Sequence, residues 1–370
     1  MEENIEIIRS LFEENKHKEA IDACNKLLDN NSNSIEVIKL IAKSLLATGK
    51  IEESRIYFHK AININPEDFE AIKDLGNTYQ AVGDINTAKN FYQKSISIND
   101  SYAPALTNLG SLEINQSNQK RALSLLIKAT ESDPKLMPAW LNLANAYIQS
   151  GKTKEAETVC HKAIELNPTI FNSHFLLASI RIGQKKLKEA ETSLRKTIEL
   201  NPDFFQAYLS LGAVLKDLDQ PNEAANFIRK AIELNPDFFN SHFLLASILI
   251  GQKKLKEAEE PLRKTIELKP NFVQAYLSLG AVLKDLGQPH EAEKFIRKAI
   301  KVKPNFAEAH SNLGHILNNL GKLPDAEISY RKAIQLNPDS ADAHYNLGIT
   351  MKDLGKLPDA EISYRKAIQL

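Results

Sequence analysis

The chain has 370 residues, with 47 acidic side chains against 47 basic ones and a formal net charge of zero. That balance leaves no overall field to draw nucleic acid or an anionic membrane, so neither is an expected partner. No run approaches the ~20 apolar residues of a membrane span, and Met1-Glu2-Glu3-Asn4 is acidic where a signal peptide is basic.

Proline falls every 34 residues, at Pro66 and then at Pro134, Pro168, Pro202, Pro236, Pro270, Pro304 and Pro338, with Asp100 in the one empty place. A fixed period without insertions marks an array in which each unit covers its neighbour's apolar face. Units begun three residues after each proline place start at 1, 35, 69, 103, 137, 171, 205, 239, 273, 307 and 341, eleven in all. Positions within a unit are called slots. The first unit is degenerate, with Asn4 and Ser32 in two pattern slots, as an end cap tends to be. We expect residues 1–34 to be an N-terminal capping repeat, 35–340 nine repeats in register, and 341–370 a last, truncated repeat.

Unit 137–170 shows the pattern. Trp140, Leu143, Ala144 and Tyr147 recur at helical spacing, Gly151 breaks the chain, and Ala156, Cys160 and Ala163 recur on a second helix. Proline lacks the N–H that a continuing helix needs, so Pro168 and its equivalents stop each second helix. Small residues mark the helix crossing: Gly or Ala in slot eight from Ala42 to Gly348, and Ala in slot twenty except Ser54. Cys24 and Cys160 share one inward slot four units apart and read as reduced core residues, which suits a cytoplasmic protein. Residues 171–238 and 239–306 are a duplication, and 320–336 repeats as 354–370. The chain stops at Leu370 on a near-consensus unit, just before an expected Asn-Pro, which fits a piece of a longer protein.

His174, His242, His310 and His344 all fill slot four, so each belongs to a different layer. Layers stand roughly 10 Å apart, too far for one metal to bridge them at ~2 Å, and packing is the expected role. No phosphate loop, His-Glu-x-x-His or Cys-x-x-Cys occurs, and no cofactor is implied. Glu189 and Glu191 lie beside Lys185, Lys186 and Lys188 as a solvated surface. Slot eleven is mostly apolar yet carries Glu113 and Arg181, whose long side chains are expected to snorkel outward. Pro261 replaces Ser193 of the sister copy in the middle of a second helix, where a local kink is expected.

The pattern resembles the tetratricopeptide repeat family, whose helix–turn–helix signature is W-x₂-L-G-x₂-Y…A-x₃-F…P. The resemblance covers the whole chain. It implies an all-α fold, a right-handed superhelical solenoid of stacked helix pairs, with first helices lining a concave groove. Slots two, five, nine, twelve and thirteen share that face. Read along the chain, it opens basic and polar with Lys39, Lys43, Lys73, Asn77 and Asn108, the last from slot six. An apolar stripe at slot five follows, Leu141, Phe175, Leu209, Phe243 and Leu277, with Asn142 and Asn145 alongside, and the end is mixed with Asn312, Tyr345 and Asn346.

Lys73, Asn77 and Asn108 match three of the five residues of the carboxylate clamp by which chaperone cochaperones hold acidic C-terminal tails. Pro138 and Asn142 stand where the other two should be cationic, so the clamp is incomplete. The slot-six asparagines Asn108, Asn142, Asn312 and Asn346 are similar to the asparagine ladder of O-linked N-acetylglucosamine transferases, interrupted here by Leu176, Ser210, Leu244 and Ser278. A side-chain amide both donates to and accepts from an extended backbone. The reading is a non-enzymatic scaffold holding protein or peptide segments in the groove. The alternative is the substrate-recruiting arm of a larger enzyme of that glycosyltransferase kind. Oligomeric state is not legible.

Overall fold

A computed structural model describes residues 2–30 and 34–370, so Ser32 lies outside the described residues. Among these the chain is all helix, and it divides into two compact units, 1–184 and 185–370. In unit 1 the helices are α1 (Glu2–Glu13), α2 (His17–Asn30), α3 (Ile35–Ala47), α4 (Ile51–Ile64), α5 (Phe69–Ala81) and α6 (Ile85–Ile98). They continue as α7 (Ala103–Asn115), α8 (Gln119–Ser132), α9 (Met137–Gln149), α10 (Thr153–Leu166) and α11 (Phe171–Gly183). Unit 2 holds α12 (Leu187–Leu200), α13 (Phe205–Asp217), α14 (Pro221–Leu234), α15 (Phe239–Gly251), α16 (Leu255–Leu268) and α17 (Val273–Asp285). It ends with α18 (Pro289–Val302), α19 (Ala307–Asn319), α20 (Leu323–Leu336), α21 (Ala341–Asp353) and α22 (Leu357–Gln369).

The 34-residue register is kept throughout. From α3 onward every first helix begins at slot one and every second helix at slot seventeen. The second helices stop two residues before the proline places, as at Leu166 ahead of Pro168. Between the helices of a pair, slot fifteen takes a left-handed backbone. Glycine accepts this freely at Gly151 (φ 70°), whereas Lys253 adopts it at φ 59° against its Cβ. Within each unit every helix packs on the next, so the pairs stack in sequence order, as an α-solenoid of tetratricopeptide type does.

Close crossing explains the small slots. A Cβ added at Gly280 would come within 2.5 Å of Ile296 Cδ1, and one at Gly76 within 2.7 Å of Tyr92 Cε1. Slot twenty is buried, and where it holds Ser54 the hydroxyl donates to the Ala42 carbonyl at 2.7 Å. The core of unit 2 is continuous from Ala246 to Ala360, while that of unit 1 is a series of clusters. Cys24 and Cys160 are free and buried within it, and burial pushes both thiols up to about 12. No helix of the described residues is long and apolar enough to cross a membrane.

Two departures end differently from the expectation drawn from sequence. Glu113 does not snorkel: it is only 1% exposed and accepts ion pairs from Lys89 at 2.9 Å and Arg121 at 3.5 Å. Its carboxylate stays inside because opposite charges come to it. Arg181 likewise lies largely covered, 3.9 Å from Glu157. Pro261 sits inside α16 as expected, buried, with its carbonyl accepting from Thr265 Oγ1 at 2.8 Å.

Candidate functional site

First helices carry slots five, six and nine toward one side of each unit, and their side chains differ sharply along the chain. On α3 and α5 the expected basic stretch is charge-balanced. Lys39 Nζ lies 2.8 Å from Glu70 and 3.0 Å from Asp68. Burial works against its charge, but the two carboxylates outweigh burial and hold its pKa above the ordinary lysine value. Lys43 Nζ is 3.5 Å from Asp74, and Lys73 pairs with the same carboxylate. Asp74 is 5% exposed and also accepts from Asn77 Nδ2 at 3.2 Å. Three lysines thus meet three carboxylates.

The polar chain continues across the repeat. Asn108 Nδ2 donates to Asn77 Oδ1 at 2.8 Å, and the Tyr92 hydroxyl lies 2.8 Å from the same oxygen. Burial raises the Tyr92 pKa, so the phenol remains a neutral donor. Lys39, Lys43, Lys73, Asn77 and Asn108 are therefore engaged with protein groups rather than free to grip a ligand carboxylate. Reading positions five and nine for cations passed over Asp68, Glu70 and Asp74. The signal was present: Asp74 occupies slot six, where Asn108 stands one unit later.

Further along, the face changes character. On α9, Leu141, Asn142 and Asn145 are half-buried, as is Phe175 on α11. In unit 2, Leu209 is half-buried on α13. Phe243 meets Phe272 edge to face, with centroids 4.9 Å apart, and Leu277 is 6% exposed within the core. Leu277 therefore contributes mainly to packing. Asn312 and Asn346 are half-buried on α19 and α21, and Tyr345 is exposed with its ring 5.7 Å from Tyr364. Among the described residues, the amides of Asn142, Asn145, Asn312 and Asn346 have no partner in the protein.

The slot-four histidines have a structural task. Nε2 of His174, His242, His310 and His344 donates to the carbonyls of Pro168, Pro236, Pro304 and Pro338 at 3.1, 2.8, 2.8 and 3.0 Å. Trp140 Nε1 does the same to Pro134 at 2.9 Å and Tyr276 Oη to Pro270 at 2.9 Å. Three chemically different rings fill one slot because each offers a donor at that reach. Each histidine serves its own layer.

Residues 68–275 match the model of the C-terminal domain of cilia and flagella-associated protein 70. Tetratricopeptide-repeat models match residues 40–68, 273–306, 295–328 and 314–355. No curated protein matches the chain. Among solved structures, the chain is similar to YrrB, a TPR protein with an unusual peptide-binding site. Identity is 23% over 50% of this chain and 95% of that one, with a TM-score of 0.45. A crystal structure of MamA matches at 22% identity, over 45% of this chain and 96% of that one, with a TM-score of 0.43.

Proposed function

The chain belongs to the tetratricopeptide-repeat family, its residues 68–275 matching the C-terminal domain of cilia and flagella-associated protein 70, and from that membership we propose a non-catalytic scaffold that holds protein or peptide segments along its first-helix groove. The observation that carries this reading is the set of unpartnered amides at Asn142, Asn145, Asn312 and Asn346. A half-buried amide with no protein partner can pair with an extended peptide backbone by donating and accepting at once, without reading sequence. Phe175, Leu209 and Phe243, half-buried on first helices that lie between these asparagines in sequence, offer apolar contact for alternate side chains. The balanced lysines at the other end argue against recognition of an acidic tail there. The buried, unbridged thiols of Cys24 and Cys160 fit a reducing compartment and support a cytoplasmic setting.

The test replaces Asn142, Asn312 and Asn346 together by alanine. These side chains hold nothing else in place, so helicity and thermal midpoint should match wild type. Binding of proteins captured from the native lysate, quantified by mass spectrometry, should fall by at least about tenfold, the loss expected when hot-spot contacts go. An unchanged set of captured proteins would place binding elsewhere.

A further inference from the structure

In unit 1, α8, the end of α9 and the turn ahead of α10 line an open groove of about 860 Å³. Leu123 and Ile127 of α8 and Tyr147 of α9 form its apolar wall. At neighbouring junctions the equivalent slots are closed by charge. Slots twenty-one and eleven hold Arg55 stacked over Tyr79 at 4.1 Å, Lys89 on Glu113 at 2.9 Å, and Glu157 with Arg181 at 3.9 Å. Here the same two slots are Leu123 and Tyr147, and no ion pair spans them. Slot twenty-five repeats the contrast. In unit 2 its arginines bridge to the next second helix, Arg195 to Glu223 and Arg263 to Glu291, both at 2.7 Å. In this groove slot twenty-five is Ile127.

The rim is predominantly cationic. Lys120 and Lys152 are exposed and, among the described residues, unpaired; Lys128 is shared with the exposed Asp100 at 2.7 Å. Glu131 is the one carboxylate among the lining residues. An apolar floor of this volume lies within the range of specific ligand sites. Lysines at its edge add electrostatic preference for negative charge.

We propose that this groove is a second docking site, for an acidic amphipathic peptide segment whose apolar side chains enter between Leu123, Ile127 and Tyr147 while flanking Asp or Glu residues meet Lys120 and Lys152. It is independent of the first-helix groove. The two sites share α9 but no residue, and the variants that close one leave the side chains of the other in place.

The experiment selects a phage-displayed library of random dodecapeptides on the full chain and compares the clones on variants. Ile127→Arg installs the residue that unit 2 carries in the same slot, so the stack should fold, as circular dichroism will check. Lys120→Glu with Lys152→Glu reverses the rim without touching the wall. The proposal expects a class of clones rich in Asp and Glu beside apolar residues. These clones should bind Ile127→Arg and the reversed rim at least about tenfold more weakly, lose affinity in high salt, and keep full affinity for the triple asparagine variant. Clones that bind Ile127→Arg as well as wild type, a selected class without acidic enrichment, or no enrichment at all would each overturn it.

Discussion

Lys89 Nζ sits 2.9 Å from Glu113 Oε1 and ties the second helix of one pair, α6, to the first helix of the next, α7. The same two slots carry the reversed pair Glu157 and Arg181 two units on, and between them stands the apolar pair Leu123 and Tyr147. One junction geometry thus accepts either order of charge or none. Removing only one partner should be costly, because Glu113 would remain buried and short of a cation. Lys89→Leu is expected to lower stability by about 3 kcal/mol in urea unfolding. Adding Glu113→Tyr, which copies the neighbouring junction, should return most of it. Unchanged stability in Lys89→Leu would mean that Arg121 and Asn118, whose Nδ2 donates to Glu113 Oε2 at 3.0 Å, suffice.

Pro261 removes the N–H that would reach the Glu257 carbonyl inside α16, whereas Ser193 keeps it in the sister helix and also donates through its hydroxyl to the Glu189 carbonyl at 3.2 Å. Pro261→Ser should therefore raise the thermal midpoint. The gain is at most about 3 kcal/mol, less whatever the buried hydroxyl costs. A lower midpoint would show that the surrounding pairs have adapted to the ring.

Glu327 joins Arg331 of its own helix at 2.9 Å to Lys356 of the next pair at 2.8 Å. Lys356 is the larger cause holding its carboxyl below the ordinary glutamate range; burial opposes the shift and Arg331 adds to it. The folded group therefore titrates below the unfolded one. Its contribution is complete above the ordinary value of ~4.3 and disappears as pH falls through the lower folded pKa. Glu327→Gln should cost under ~1 kcal/mol near neutrality, and the two stability curves should converge below that value. A gap that persists at the acidic end would point to packing instead.

The register was legible because two devices repeat with it: a proline that ends each second helix and small residues where a pair crosses. The unit frame counted from the prolines therefore coincides with the starts of the first helices from α3 onward. The histidines of slot four were also legible as packing, although not their bond to the proline carbonyl, which needs the loop's course. What sequence left hidden was pairing across units. Glu113 looked like a surface departure because Lys89 lies in a different helix, and the lysines of α3 and α5 looked free because Asp74 comes from slot six. Charges one repeat apart in sequence become neighbours only once the stack is formed.

Where it forms, the bond from slot four to the proline carbonyl closes a small ring over the loop between pairs, and the ring needs a slot-four side chain with a proton to give. Ile72 and Leu106 have none. Junctions 65–68 and 99–102 therefore lack the latch that Trp140, His242 or Tyr276 supplies at its own junction. Transient opening of the array, seen as amide hydrogen exchange, should start at the unlatched junctions ahead of α5 and α7 and run toward the latched ones.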